Sequence, residues 1–169
     1  MFRDKKVLVT GGHGMIGREL VGLLKEQGAI VTVADISENT NLVGVKYCQV
    51  DLRFFDQCLQ ICKGQEYIFN LVGIKGSPKM CAEQPADFMV PMLQFNTNMM
   101  EAAMRSQVKW YLYTSSVGVY QPASLLREDD VWKTFPSPND RFAGWAKRIG
   151  ELQAEAYAIQ NAQRNISIV

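Results

Sequence analysis

Thr10-Gly11-Gly12-His13-Gly14-Met15-Ile16-Gly17 decides how this chain is read. It follows a short β-branched run, Lys6 to Thr10 (KVLVT), which reads as a buried strand. It opens Met15 to Gln27, where Ile16, Leu20, Val21, Leu23 and Leu24 form a stripe at helical spacing. Both Gly11-x-x-Gly14-x-x-Gly17 and Gly12-x-Gly14-x-x-Gly17 can be read from it. One glycine allows the tight turn, one lets backbone approach a pyrophosphate, and one packs helix against strand. The helix start adds free N–H groups and partial positive charge, which suit phosphate. Asp35 lies 21 residues after Gly14, at the end of a second apolar run, Ala29 to Ala34. A carboxylate there accepts hydrogen bonds from ribose hydroxyls and repels a 2′-phosphate, so the pattern favours NAD over NADP. The plainer alternative is a bare glycine turn and a loop acid. His13, inside the turn, could touch a phosphate or simply fill it; filler is the better reading, with no catalytic role.

The same alternation continues outward. Val43 to Val50 predicts a third strand, Phe54 to Lys63 a short helix, and Glu66 to Val72 a fourth strand. Asp87 to Ser106 predicts a long helix with a turn at Pro91. Lys109 to Thr114 predicts a fifth strand, Asn139 to Gln163 a second long helix, and Asn165 to Val169 a sixth strand. Strand and helix in turn imply parallel strands and right-handed crossovers: a doubly wound α/β sheet of the Rossmann type, in three α/β/α layers. A chain of 169 residues suits one such domain. Its last residues fall on a strand, so the expectation is one dinucleotide-binding domain over 1–169, truncated after the sixth strand.

Composition narrows the function classes. Apolar residues make up 47% and charged residues 21%, the balance of a packed globular chain. The net charge of +1 offers no basic excess for nucleic acid or an anionic membrane. No run approaches the ~18 apolar residues of a spanning helix. Cys48, Cys58, Cys62 and Cys81 lack zinc-site spacing and share the chain with one histidine, so no metal is expected. Reduced structural thiols fit a cytoplasmic protein.

Further motifs carry a family resemblance. Thr10-Gly11-x-x-Gly14-x-x-Gly17, Val50-Asp51-Leu52, Asn70-Leu71-Val72-Gly73, Tyr113-Thr114-Ser115-Ser116-Val117-Gly118-Val119-Tyr120, and Ala146-Lys147 with Glu151 fall in order along the chain. Together they resemble the extended short-chain dehydrogenase/reductases, the NAD-dependent epimerase/dehydratase family acting on nucleotide sugars. Gln84-Pro85-Ala86-Asp87-Phe88 is similar to the GDP-fucose synthase branch. The resemblance implies that Gly11, Gly14, Met15, Ile16, Gly17, Asp35, Asp51, Leu52, Leu71, Val72 and Lys147 hold NAD, with Asp51 at the adenine. It implies that Ser116 hydrogen-bonds the reacting sugar oxygen. Lys147 would hold the nicotinamide ribose and favour the phenolate of a catalytic tyrosine. The alternatives are a turn-capping Ser116 and a solvated Lys147.

Two departures stand out. The family pattern is Tyr-x-x-x-Lys, yet Ala143 precedes Lys147 by four residues, and Phe142 beside it also lacks a hydroxyl. Met92 stands where the GDP-fucose synthase branch has Asn. Two functions are therefore expected in competition. One is the NAD-binding portion of a nucleotide-sugar epimerase, dehydratase or reductase working by transient hydride transfer. The other is a non-catalytic NAD-binding sensor or scaffold. The resemblance further implies a C-terminal substrate domain outside this chain, no turnover by these 169 residues alone, and a homodimer through the two long helices.

Overall fold

The computed structural model describes residues 1–38, 41–74, 76–160 and 165–169. Six strands form one sheet: β1 (Lys6–Thr10), β2 (Ile30–Asp35), β3 (Lys46–Gln49), β4 (Tyr67–Asn70), β5 (Trp110–Tyr113) and β6 (Asn165–Ile168). Their order is β3-β2-β1-β4-β5-β6, and every neighbouring pair is parallel. This is the doubly wound Rossmann order, in which the crossover direction reverses beside β1. β3 is shorter than Val43 to Val50 predicts.

The described residues form five α-helices: α1 (Met15–Glu26), α2 (Phe55–Cys62), α3 (Pro78–Glu83), α4 (Pro85–Arg105) and α5 (Arg141–Gln160). Val21 and Leu24 of α1 pack on Val7, Val9, Val31 and Val33 on one face. On the other face, Leu8, Ile68, Tyr111 and Tyr113 meet α2, α4 and α5 through Cys58, Met99, Met100 and Ala154. Helices therefore cover both faces, giving the three expected layers. Residues 161–163 of the predicted last helix lie outside the described residues.

The largest differences from sequence expectation fall between β4 and α4. A short helix, α3, is capped by Ser77, whose Oγ accepts the Met80 N–H at 3.2 Å. α4 begins at Pro85, where a missing N–H costs nothing at a helix start. It then continues through Pro91, where the sequence predicts a turn. Proline inside a helix removes a backbone hydrogen bond. Here Phe88, Met92 and Phe95, on either side of it, are all buried, and their packing keeps the segment helical. Met92 is thereby a core residue, which explains an apolar side chain at that position.

A buried polar chain ties the layers together. Thr10 Oγ1 donates to Asn70 Oδ1 at 2.6 Å, Asn70 Nδ2 to Asn96 Oδ1 at 3.2 Å, and Asn96 Nδ2 to the Tyr113 hydroxyl at 3.4 Å. Tyr113 donates in turn to the Lys147 carbonyl at 3.2 Å. The chain joins β1, β4, α4, β5 and α5, and pairs polar groups that would be costly to bury alone. α5 reaches Tyr113 only because residue 150 is glycine. A Cβ there would stand 2.2 Å from the Tyr113 hydroxyl oxygen. Gly150→Ala is expected to lose about 1–3 kcal/mol to overpacking, against about 1 kcal/mol returned as helix propensity. Its urea midpoint should fall at unchanged slope.

Candidate functional site

A cavity of about 930 Å³ opens over the carboxyl ends of the central strands. In an open α/β sheet this end, beside the reversal of strand order, is where ligands bind. Gly11, Gly14, Asp35, Asp51, Leu52, Leu71 and Val72 line it, joined by His13 and Arg53. Met15 and Ile16 lie outside the lining, and their side chains are exposed. Any part they take falls to their backbone at the start of α1. Gly17, Ser116 and Lys147 also lie outside it.

The glycine turn is built by contact between backbones. Gly11 has φ +66°, and a Cβ there would meet Val72 backbone at 3.1 Å. A Cβ at residue 17 would stand 2.3 Å from the Gly11 carbonyl oxygen, so α1 rests directly on the turn. Residue 12 is equally constrained, since its Cβ would strike Val33 Cγ1 at 2.4 Å. The Gly11-x-x-Gly14-x-x-Gly17 spacing thus describes the turn, and Gly12 adds a packing glycine. Gly14 is the N-cap of α1, and no side chain among the described residues caps that helix. Its first N–H groups are free of intrahelical partners.

Acids stand at the ends of β2 and β3. Asp35 Oδ2 accepts the His13 N–H and Oδ1 the Ser37 N–H, each at 3.1 Å. The carboxylate is thereby clamped between turn and strand end. The His13 ring lies against Tyr47, with centroids 5.2 Å apart. Asp51, just after β3, pairs with Arg53 at 2.6 Å. The Arg53 hydrogen bonds hold the Asp51 carboxyl below its ordinary range, although burial opposes them.

Ser116 lies just past the end of β5, and the Lys147 ammonium is bound to Thr114 of the same segment. Ser116 is exposed, and its Oγ accepts the Gly118 N–H at 3.1 Å, capping a short 3-10 turn at Val117–Val119. Its hydroxyl hydrogen has no acceptor among the described residues. Lys147 is only 8% exposed and is not a solvated helix lysine. Its ammonium donates to the Thr114 carbonyl at 2.7 Å and lies 5.2 Å from the centre of the Tyr113 ring. Burial lowers its pKa to about 8, partly offset by the Glu151 carboxylate. Glu151 accepts from the Ser115 hydroxyl and so ties α5 to the same strand end. Ala143 is half-buried on α5, one turn before Lys147, and borders a second cavity of about 340 Å³ with Asp140, Phe142 and Cys81.

Sequence reasoning missed Arg53 and Arg148. Arg148 is 1% exposed; it donates to the Val119 and Thr134 carbonyls and lies against Trp145 and Trp132. Arg53 pairs locally with Asp51, two residues before it, whereas the Arg148 partners lie 14 and 29 residues away and give no spacing signal. Among the described residues no group of three or more His, Cys, Asp or Glu could hold a metal. No helix among them is long and apolar enough to cross a membrane.

The residues present suit a dinucleotide. Cβ atoms at residues 11, 12 and 17 would collide with the packing that forms the turn, an uncapped helix start faces the cavity, and a clamped acid closes one side. Residues 7–169 match the model of the NAD-dependent epimerase/dehydratase family, and the chain belongs to that family. It is 28% identical over 141 residues to GDP-mannose 3,5-epimerase 1 of Oryza sativa, covering 78% of this chain and 37% of that one. It is 27% identical over 177 residues to GDP-L-fucose synthase 1 of Arabidopsis thaliana, covering 98% and 49%. The chain therefore spans less than half the length of these relatives. Among solved structures it resembles a UDP-N-acetylglucosamine 4-epimerase from Methanobrevibacter ruminantium, with TM-score 0.81, 23% identity and coverage of 98% and 54%. It also resembles a Thermus thermophilus UDP-glucose 4-epimerase solved with NAD, with TM-score 0.77, 22% identity and coverage of 95% and 53%. Family and fold together support a nicotinamide cofactor.

Lys147 makes stability depend on pH. Its pKa is lower in the folded chain, about 8, than in an unfolded one, about 10.4. Between these values the unfolded chain binds more protons, so stability rises with pH, by at most about 1.4 kcal/mol per unit. Below pH 8 the burial penalty is present in full. Urea unfolding of wild type and Lys147→Met should therefore diverge in favour of wild type from pH 8 to 10.

Proposed function

We propose, with family membership as the premise, that this chain is the NAD-binding portion of an enzyme that oxidises a nucleotide-sugar carbon transiently. Epimerisation, dehydration or reduction would follow. The observation that carries the reading is the glycine cradle, closed to any side chain, opening into one cavity with Asp35. Gly11, Gly14 and Gly17 would approach the pyrophosphate, with the Met15 and Ile16 backbone at the helix start. Asp35 would take the ribose hydroxyls, and Leu71 and Val72 would form the wall beyond. A nicotinamide bound there supplies a hydride acceptor. Ser116 keeps a hydroxyl hydrogen to donate to a sugar oxygen. Lys147, anchored on the Thr114 carbonyl, would hold ribose hydroxyls and favour an anion nearby. The α4 and α5 pair, with Ile149, Leu152 and Ile159 exposed on α5, would form a homodimer interface.

Ala143 favours a second reading, a non-catalytic cofactor sensor or scaffold. It stands on the Lys147 face of α5 without a proton to give, in a family that uses tyrosine there. Loss of a positioned acid/base costs about 10²–10⁴ in rate.

Calorimetry checks the cofactor. A 2′-phosphate would face the clamped Asp35 carboxylate, so NAD should bind at least about tenfold more tightly than NADP, the equivalent of about 1.4 kcal/mol. Asp35→Ala should close that gap. NADP binding as tightly as NAD would overturn the assignment.

Absorbance of NADH and product analysis over a panel of GDP-, UDP- and dTDP-sugars separate the two readings. For this chain we expect NAD binding without turnover, and no rescue by Ala143→Tyr. Sugar oxidation or conversion by the unmodified chain would sink the sensor reading and show another group doing the tyrosine's work. In a longer protein carrying these residues, turnover abolished by Ser116→Ala would establish the enzyme reading.

A further inference from the structure

The second cavity, of about 340 Å³, shares no lining residue with the first. It lies between α3, the start of α4 and the start of α5. Its volume falls in the range of small-molecule sites. Two aromatic rings and two prolines form its apolar wall: Pro85 and Phe88 of α4, Phe142 of α5, and Pro138 of the 3-10 turn before α5. Ala143 joins them with only a methyl group, one turn before Lys147. Room for a ring is left beside a helix that carries none at this position.

The polar lining is sparse. Arg141 lies over the Phe142 ring, 5.5 Å from its centre. Asn139 adds one side-chain amide. The Asp140 N–H is bonded to the Ser137 carbonyl at 3.1 Å. Its carboxylate has no hydrogen-bond donor among the described residues, so its lone pairs are open. Gly118 backs it closely: a Cβ at 118 would stand 2.9 Å from Asp140 Cβ and 3.3 Å from Oδ2. The acid is therefore held at the cavity wall from the side of the turn that Ser116 caps.

This lining selects among ligands. A sugar carries many hydroxyls and would leave most of them unpaired against rings and prolines, at a cost for each. A carboxylate or phosphate would face the Asp140 charge. A flat neutral ring with one hydroxyl meets both parts of the wall. Its ring packs on aromatic side chains, a contact that gains beyond the area buried, and its hydroxyl gives a charge-assisted bond to a carboxylate. We infer that the second cavity binds a small phenol, with its ring against Phe88 and Phe142 and its hydroxyl on Asp140. Such a ligand brings a phenol to the stretch of α5 that lacks one of its own. The site is separate from the cofactor cavity and does not rest on the cofactor reading.

Titration of the isotope-labelled chain with phenol, toluene and benzoate, followed by amide NMR shifts, tests this. Phenol should shift residues 81–88 and 138–143 with a roughly millimolar Kd, as befits a ligand of few atoms. Toluene, without the hydroxyl, and benzoate, with a charge opposed to Asp140, should each bind more weakly. Ala143→Phe fills the space from the helix and should abolish the phenol shifts. Asp140→Ala, a change at an exposed residue, keeps the test open if the phenylalanine variant folds poorly. It should weaken phenol about tenfold, the effect of one hydrogen bond to a charged group, and leave toluene unchanged. Absence of shifts at these residues, toluene or benzoate binding as tightly as phenol, or phenol binding that the Asp140 variant does not change would overturn the inference.

Discussion

Residues 11 and 17 touch backbone to backbone, and the rest of the molecule is arranged around that contact. With α1 resting on the Gly11 carbonyl, the helix start lies at the mouth of the cavity, above β1. Any side chain at 17 would lift α1, parting Val21 and Leu24 from Val7, Val9 and Val33. A side chain at 11 would need an unfavourable positive φ and would press on Val72. Packing of one sheet face and access to the cavity are therefore two results of one constraint.

The opposite face is organised by polar groups. The chain from Thr10 through Asn70 and Asn96 to Tyr113 crosses the sheet and ends on the α5 backbone at Lys147. Lys147 is thus placed by its carbonyl from below and by the Thr114 carbonyl at its ammonium. Glu151, one turn further, ties Ser115 to the same helix. Thr114 and Ser115, which precede Ser116, are thus both held by side chains of α5.

The two ends of the cavity region differ in kind. At β2, Asp35 is clamped by backbone N–H groups, which leave lone pairs on each oxygen for another donor. At β3, Asp51 is instead paired with the Arg53 guanidinium. On α5, the position one turn before Lys147 is Ala143, which borders a second cavity, rather than a phenol. The glycine turn and its clamped acid thus stand in the same chain as a helix that carries no phenol one turn before Lys147.

By itself the sequence determined the strand–turn–helix start, the alternation behind the parallel sheet, and the places of Asp35, Asp51, Ser116 and Lys147. These are local: a glycine spacing, a period of two or 3.6, an acid at a strand end. Only the tertiary structure decided that α4 passes through Pro91, because that depends on what Phe88, Met92 and Phe95 pack against. It also decided that Lys147 is buried and Met15 exposed, and that Arg53 occupies Asp51 within the cavity lining. Arg148 is the plainest case. In the sequence it is one more cation on an amphipathic helix; in the fold it is buried, where carbonyls of Val119 and Thr134, 29 and 14 residues before it, converge on it. Such partners leave no periodic trace, since they meet only after the sheet has brought the strand ends together.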